Sequence, residues 1–270
     1  MPPATEDFHL KLAMYQGSAL PADKQGNLCT IERVVASVKS LDVDIVVFPE
    51  LFTTGYNQGE RLKDMAEPVN GKSVQALRDI AIKYDTALIC GFAEDDNGTL
   101  YNSAIVLDKN GKQLALHRKV FLFGYKERQM FKPGESFPAF TFEGVRCGLS
   151  ICYDIEFPET GRALAAHDVQ VIFNPTANME PYDQATLILA PARALENNAV
   201  VVYANYCGVD DDLEYTGLSA VIGPDGKDIA RAGRGDCVLI ADLTPALAAA
   251  QKKPLSTQLT DLGRVRTDLL

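Results

Sequence analysis

A layered α/β domain is the fold class that the sequence predicts, and three observations carry the prediction. Short β-branched runs alternate with stretches of helical period along the first half of the chain. Turn signals at Asn110-Gly111, Glu143-Gly144 and Pro224-Asp225-Gly226 each split two apolar runs, the pattern of a hairpin. Crossovers and hairpins together make mixed sheets covered by helices. Of the 270 residues, 47% are hydrophobic, enough apolar material for a sizeable core. No Gly/Ser linker, low-complexity segment or internal repeat divides the chain. Residues 8–242 are therefore expected to form one domain, and 243–270 an extended C-terminal tail at a subunit interface.

The elements follow in order. Residues 8–16 alternate apolar and polar, the period of a strand. Over 23–41, Leu28, Ile31, Val34, Val35, Val38 and Leu41 recur with the period of a helix. Residues 43–48 read as a buried strand ended by Pro49. Val74, Leu77, Ile80, Ala81 and Tyr84 mark a second helix, and 86–92 a further buried strand. The hairpins then pair 103–107 with 113–117, 140–142 with 145–151, and 218–222 with 227–232. Between them, 158–166 is helical, 169–173 a strand, 182–198 a long helix interrupted by Pro191, and 200–205 a strand. Residues 237–241 make the last strand. From 245 onward no period is visible, hence the expected tail.

Charge and composition exclude several function classes. With 26 basic and 36 acidic residues the net charge is −10, so no basic face for nucleic acid or an anionic membrane is expected. No window is long and apolar enough to span a membrane, and the N-terminal residues lack the pattern of a signal peptide. The six cysteines form no CxxC pair, which fits reduced thiols in the cytoplasm better than disulfides or a zinc site. His9, His117 and His167 lie far apart and suggest no metal cluster.

Three residues stand where predicted strands end. Glu50 follows the strand at 43–48, Lys119 closes the first hairpin, and Cys152 ends the apolar run before Tyr153-Asp154. Active sites of α/β domains gather beyond the carboxyl ends of their strands. A free thiol, with a pKa of about 8.5, is mostly protonated at neutral pH. A carboxylate can take its proton and return it to a leaving amine, while an ammonium stabilises the oxyanion. Each residue alone has an ordinary alternative: a packed core cysteine, a solvated glutamate at a turn, an exposed lysine.

Phe48-Pro49-Glu50-Leu51, His117-Arg118-Lys119 and Ser150-Ile151-Cys152-Tyr153-Asp154 occur in this order, with spacing that resembles the three signature blocks of the nitrilase superfamily of carbon–nitrogen hydrolases. The resemblance covers roughly residues 8–242. It implies a four-layer αββα sandwich, with Glu50 as general base, Lys119 as electrostatic stabiliser and Cys152 as nucleophile. It also implies a second glutamate at Glu127 and an oxyanion hole made by Lys119 with the Tyr153 N–H. No metal or organic cofactor is implied, and two subunits are expected to stack as a homodimer, or to assemble into a higher homo-oligomer. Cys-Tyr-Asp in place of Cys-Trp-Glu, in a chain without tryptophan, is similar to the amidase side of the superfamily. The expected activity is hydrolysis of a small aliphatic or amino-acid-derived amide, with nitrile or N-carbamoyl hydrolysis as the alternatives.

Substrate-binding expectations are less specific. Glu156 stands where many relatives have arginine, which weakens an acidic-substrate reading, although Arg162 and Arg193 could serve if they are not helix-surface salt bridges. Thr176 and Asn178, after the strand at 169–173, are expected to line the pocket, Asn178 as a hydrogen-bonding group. Phe52, Tyr56 and Tyr153 are expected to supply an apolar wall, or else to be core.

Overall fold

The computed structural model describes residues 9–252 and 254–261. Phe8 of the expected first strand, and Lys253 and residues 262–270 of the expected tail, lie outside the described residues. The chain begins with β1 (Lys11–Gln16), α1 (Lys24–Val38) and β2 (Ile45–Val47), and β2 lies parallel to β1. Asp23 starts α1 by accepting a hydrogen bond from the Gly26 N–H at 2.9 Å, which satisfies one of the free donors of the first turn. Next come α2 (Arg61–Met65), α3 (Lys72–Tyr84) and β3 (Ala87–Asp96), again parallel to its neighbour β2. The antiparallel strands β4 (Thr99–Leu107) and β5 (Gln113–Arg118) complete this half.

After α4 (Gly124–Met130), the second half repeats the logic with β6 (Ala139–Phe142), β7 (Val145–Leu149), α5 (Pro158–Ala165), β8 (Val171–Pro175), α6 (Ala190–Asn197) and β9 (Val200–Ala204). A separate hairpin follows, β10 (Cys207–Asp210) with β11 (Leu213–Thr216). The strands β12 (Ala220–Ile222) and β13 (Asp228–Arg231) extend the second sheet, and β14 (Cys237–Asp242) returns to pair with β1. The helices α7 (Thr244–Lys252) and α8 (Gln258–Asp261) end the described chain. The two six-stranded sheets have the orders β14-β1-β2-β3-β4-β5 and β13-β12-β9-β8-β7-β6.

Alternation along the strands builds the layers. Leu12, Met14, Ile45 and Val47 from the first sheet meet Leu149, Phe173 and Val202 from the second in one core. Their neighbours Ala13, Val46 and Phe48 point the other way, against α1 and α3. In the second sheet, Ile172, Val201 and Tyr203 face α5 and α6. Both faces of each sheet are thus buried, so these strands read as continuous apolar runs. The result is helix, sheet, sheet, helix: a four-layer αββα sandwich.

Several expectations need correction. Residues 244–252 are not an extended tail but the helix α7, whose Leu247 is 1% exposed and belongs to the core between the sheets. Its alanine-rich sequence favours helix yet offers a single large apolar contact, so no period was visible. The expected helix at 182–198 is a π-turn over Ala185–Leu189 followed by α6, with Pro191 in its first turn. The helices α2 and α4 and the hairpin β10–β11 were not anticipated.

Candidate active site

The carboxyl ends of β2, β5, β7 and β8 meet where the two sheets approach. Glu50 follows β2, and its backbone N–H donates to Thr176 O, just past β8, at 3.4 Å. The Tyr206 hydroxyl donates to Glu50 O at 2.7 Å. Glu50 also passes directly over β3. A Cβ on Gly91 would lie 2.2 Å from Leu51 N and 2.7 Å from Glu50 Cα, so only glycine admits the crossing.

The Glu50 carboxylate is fully buried. Its Oε1 accepts from Lys119 Nζ at 2.7 Å and from Asn102 Nδ2 at 2.6 Å. Among the described residues, its Oε2 has no hydrogen-bond partner. Lys119, equally buried, also donates to Glu127 Oε1 at 2.8 Å. Two of its three donors are thereby used, and the third remains for another acceptor. Glu127 is held in turn by the Tyr56 hydroxyl at 2.7 Å and by the Phe123 N–H at 2.8 Å.

The protonation states follow from these contacts. Burial disfavours the charged form of Lys119, but the carboxylates of Glu127 and Glu50 outweigh it and hold the ammonium well above the ordinary lysine value. Burial pushes the Glu50 carboxyl up, against the pull of Lys119 and Asn102, and Glu127 adds to the rise. Burial likewise pushes the Cys152 thiol up, and the charge on Glu50 reinforces it, while Lys119 favours the thiolate. Burial thus favours the neutral thiol at Cys152, within electrostatic reach of a Glu50 carboxyl group with one unpaired oxygen. Such a pair is arranged for proton transfer on attack rather than for a standing thiolate.

Cys152 sits in a strained turn. Its φ is 48°, the left-handed region, at a cost of about 1–3 kcal/mol for a residue with a Cβ. The turn Cys152–Glu156 is a short 3₁₀ segment between β7 and α5. Asp154, fully buried, fixes it. Its Oδ2 accepts from Ile151 N at 3.0 Å and faces His117 Nε2 at 2.7 Å. Its Oδ1 accepts from Val120 N at 3.1 Å and from Phe121 N at 2.8 Å. One carboxylate thus ties the Cys152 turn to the residues flanking Lys119. Arg193 braces the same turn, donating to the carbonyls of Ile155 and Glu156 at 3.1 Å each and pairing with Glu196 at 2.5 Å. It is 6% exposed, so the surface salt-bridge reading is corrected. Arg162 donates to Glu196 O and Gln258.

Cys152 opens onto a cavity of about 220 Å³. Tyr56, Phe123, Tyr153 and Tyr182 supply aromatic walls, and Glu156, Asn178 and Gln184 the polar ones. The Asn178 amide N donates to Tyr182 O at 2.8 Å, and among the described residues nothing donates to its side-chain oxygen. Two expectations are corrected here. Phe52 is not a pocket wall; it is fully buried against Tyr15, Phe48 and Tyr206, and so supports the backbone of Glu50. Thr176 is fully buried rather than lining the cavity, and its hydroxyl makes no hydrogen bond of ordinary geometry, although it favours the Cys152 thiolate.

Sequence reading had missed Asn102, Asp154 with His117, Phe123 and Tyr206 as parts of this site, and had weighed Arg193 only as a substrate-binding group or a surface salt bridge. Asn102 and Tyr206 meet Glu50 across 52 and 156 residues, and His117 meets Asp154 across 37, so no local spacing signals these contacts. Among the described residues, no cluster of three or more His, Cys, Asp or Glu is arranged to hold a metal ion.

A sandwich that gathers a buried carboxylate, an ammonium and a thiol at the meeting point of its sheets has the groups that hydrolysis by a nucleophilic thiol requires. Comparison with known proteins places it more narrowly. The family model described as carbon–nitrogen hydrolase matches residues 11–253, and the chain belongs to that family, a hydrolase of carbon–nitrogen bonds. A hydrolase of Pseudomonas protegens is 39% identical over 93% of this chain and 88% of its own. An (R)-stereoselective amidase of a Pseudomonas species is 36% identical over 87% of this chain and 85% of its own. The crystal structure of an amidase from a Nesterenkonia species superposes with a TM-score of 0.82 at 31% identity, covering 98% of both chains. Another structure of that amidase holds a cysteine-to-alanine variant in complex with butyramide.

Proposed function

We propose that the protein is a cysteine-dependent amidase that converts a small aliphatic or amino-acid-derived amide to carboxylic acid and ammonia through a thioester on Cys152. The observation that carries this reading is the unpartnered Glu50 Oε2, buried beside a neutral thiol whose own access is to a small cavity. As sulfur attacks the amide carbon, Glu50 takes the thiol proton. Negative charge moves onto the amide oxygen, where the third Lys119 N–H and the Tyr153 N–H stabilise it. Collapse breaks the carbon–nitrogen bond, and the proton held by Glu50 passes to nitrogen, so ammonia leaves. Glu50 then takes a proton from water as its oxygen attacks the thioester, and returns it to sulfur as the acid departs. Glu127 keeps Lys119 charged and oriented throughout.

The cavity is below the ~300–1,000 Å³ of sites for drug-sized ligands, which supports an acyl group of few carbons. The Nesterenkonia complex with butyramide supports the same size class. N-carbamoyl acids are less well served, because Arg193 and Arg162 are engaged with protein carbonyls. The free thiols suit a reducing, cytoplasmic setting. Pairing of two copies is supported by Tyr182, Leu187 and Ile188, apolar side chains left exposed around the π-turn. Light scattering on the purified protein would read the dimer directly.

The test is ammonia release from matched amides and nitriles of two to five carbons, for wild type and Cys152→Ala. Amide turnover that vanishes with Cys152→Ala supports the proposal. A nitrile consumed faster than its amide would replace it with nitrile hydrolysis, and a fully active Cys152→Ala would refute the nucleophile.

A further inference from the structure

Glu156 is the one charged side chain in the wall of the cavity beyond the thiol. It is partly buried, and among the described residues nothing donates a hydrogen bond to its carboxylate or forms an ion pair with it. Burial pushes the Glu156 carboxyl up, and the Lys119 charge draws it down, so it stands within reach of the catalytic group's field. A carboxylate raised by desolvation and left without a partner gains from any cation placed beside it. The other walls suit a cation too. Phe123 packs edge-on against Tyr153 and Tyr182, at centroid separations of 5.3 and 5.5 Å, and Tyr56 closes the side toward Glu127. Aromatic faces attract ammonium groups through their quadrupoles. No lysine or arginine lines this cavity to receive a substrate carboxylate. Arg193 turns its guanidinium onto the backbone of Glu156 instead, and Arg162 donates to Glu196 O.

We infer that Glu156 is a specificity-determining residue and that the substrate is an amino-amide, a primary amide whose acyl chain carries an ammonium group that pairs with Glu156 between the aromatic walls. The inference rests on the proposed amidase function and narrows it. Neutral amides of the same length fill the cavity but leave Glu156 unpaired. Amides bearing a carboxylate place like charges together and are rejected.

The experiment compares kcat/KM for three isosteric pairs: glycinamide with propionamide, β-alaninamide with butyramide, and 4-aminobutanamide with pentanamide. The assay runs at about pH 7, below the ~7.7–8.0 of an α-amino group, so that the amines are protonated. Wild type should favour the amino-amide in at least one pair, the chain length of that pair reporting the distance from Cys152 to Glu156. Glu156→Gln should lower the preference in that pair by about 10- to 100-fold, the loss of one charge-assisted hydrogen bond. A second measurement needs no variant: propylammonium should inhibit wild-type turnover at lower concentration than propionate. A preference that survives Glu156→Gln, neutral amides preferred in all three pairs, or propionate the better inhibitor would each overturn the inference. Failure of the amidase reading looks different, since then none of the six amides would release ammonia.

Discussion

Replacing Asp154 by asparagine should loosen the active site without touching any reacting atom. The carboxylate takes four polar partners at 2.7–3.1 Å: the N–H groups of Ile151, Val120 and Phe121, and His117 Nε2. An amide has one acceptor atom and one donor atom, so two of these partners must face an NH₂ group. Oriented with oxygen toward Val120 and Phe121, asparagine can donate to His117 if that ring moves its proton to Nδ1, an atom with no present partner. The Ile151 N–H is then left buried and unsatisfied, at about 1–3 kcal/mol. The remaining bonds fall from charge-assisted to neutral strength, for a total of about 3–5 kcal/mol. At ~2.1 cal/mol/K per residue, a chain of this size should lose roughly 5–9 °C in Tm. The register between Lys119 and Cys152 also relaxes, and displacements near 1 Å cost about 100-fold, so kcat should drop by about 10- to 100-fold. Thermal unfolding by circular dichroism and steady-state ammonia release read the two effects. A Tm within about 2 °C of wild type, with kcat within roughly twofold, would refute the claim that Asp154 joins the two catalytic segments.

Other expectations follow from single contacts. Tyr56→Phe removes the hydroxyl that holds Glu127 at 2.7 Å and should lower kcat by about tenfold with little change in Tm, readable in the same two assays. Asn102→Leu removes a donor that favours ionised Glu50. The raised Glu50 pKa should then rise further, so the acid limb of the kcat/KM profile moves to higher pH and activity falls more at pH 6 than at pH 8. A limb that stays put or moves down would exclude Glu50 as its source. Leu247→Ala should cost about 2–5 kcal/mol in urea unfolding, because Leu247 fills the core between the sheets. A cost under ~0.5 kcal/mol would contradict the placement of Leu247 in that core.

The legible part of this protein is the part written locally. Val43 to Phe48 announce a strand by composition, and Glu50 announces itself by following it. Lys119 and Cys152 share that position at the ends of other strands, so a rule about strand ends reaches all three. What completes the site is long-range. Asn102 meets Glu50 across 52 residues, and His117 meets Asp154 across 37. His117 therefore looked isolated, although it is fully buried beside a carboxylate. Phe52 was misplaced because an aromatic residue two positions from a catalytic one reads equally as wall or as support. The hairpin β10–β11 was missed because Asp210-Asp211-Asp212 resembles a solvated loop. Asp211 turns the chain there with a φ of 56°, a conformation that aspartate tolerates better than most residues. The helix α4 is short and polar, so only the resemblance singled out Glu127, and its contact with Lys119 is visible only in the fold.

The central claim is that the acyl group passes through sulfur at position 152. Acid quench during steady-state turnover of butyramide, followed by intact-protein mass spectrometry and peptide mapping, tests it most directly. The account predicts one butyryl group per chain at most, carried by the peptide containing Cys152 and absent from Cys152→Ser. Adding hydroxylamine should discharge it as the hydroxamate. An adduct on Cys29 or Cys237 instead, or amide hydrolysis at the wild-type rate by Cys152→Ser, would contradict it.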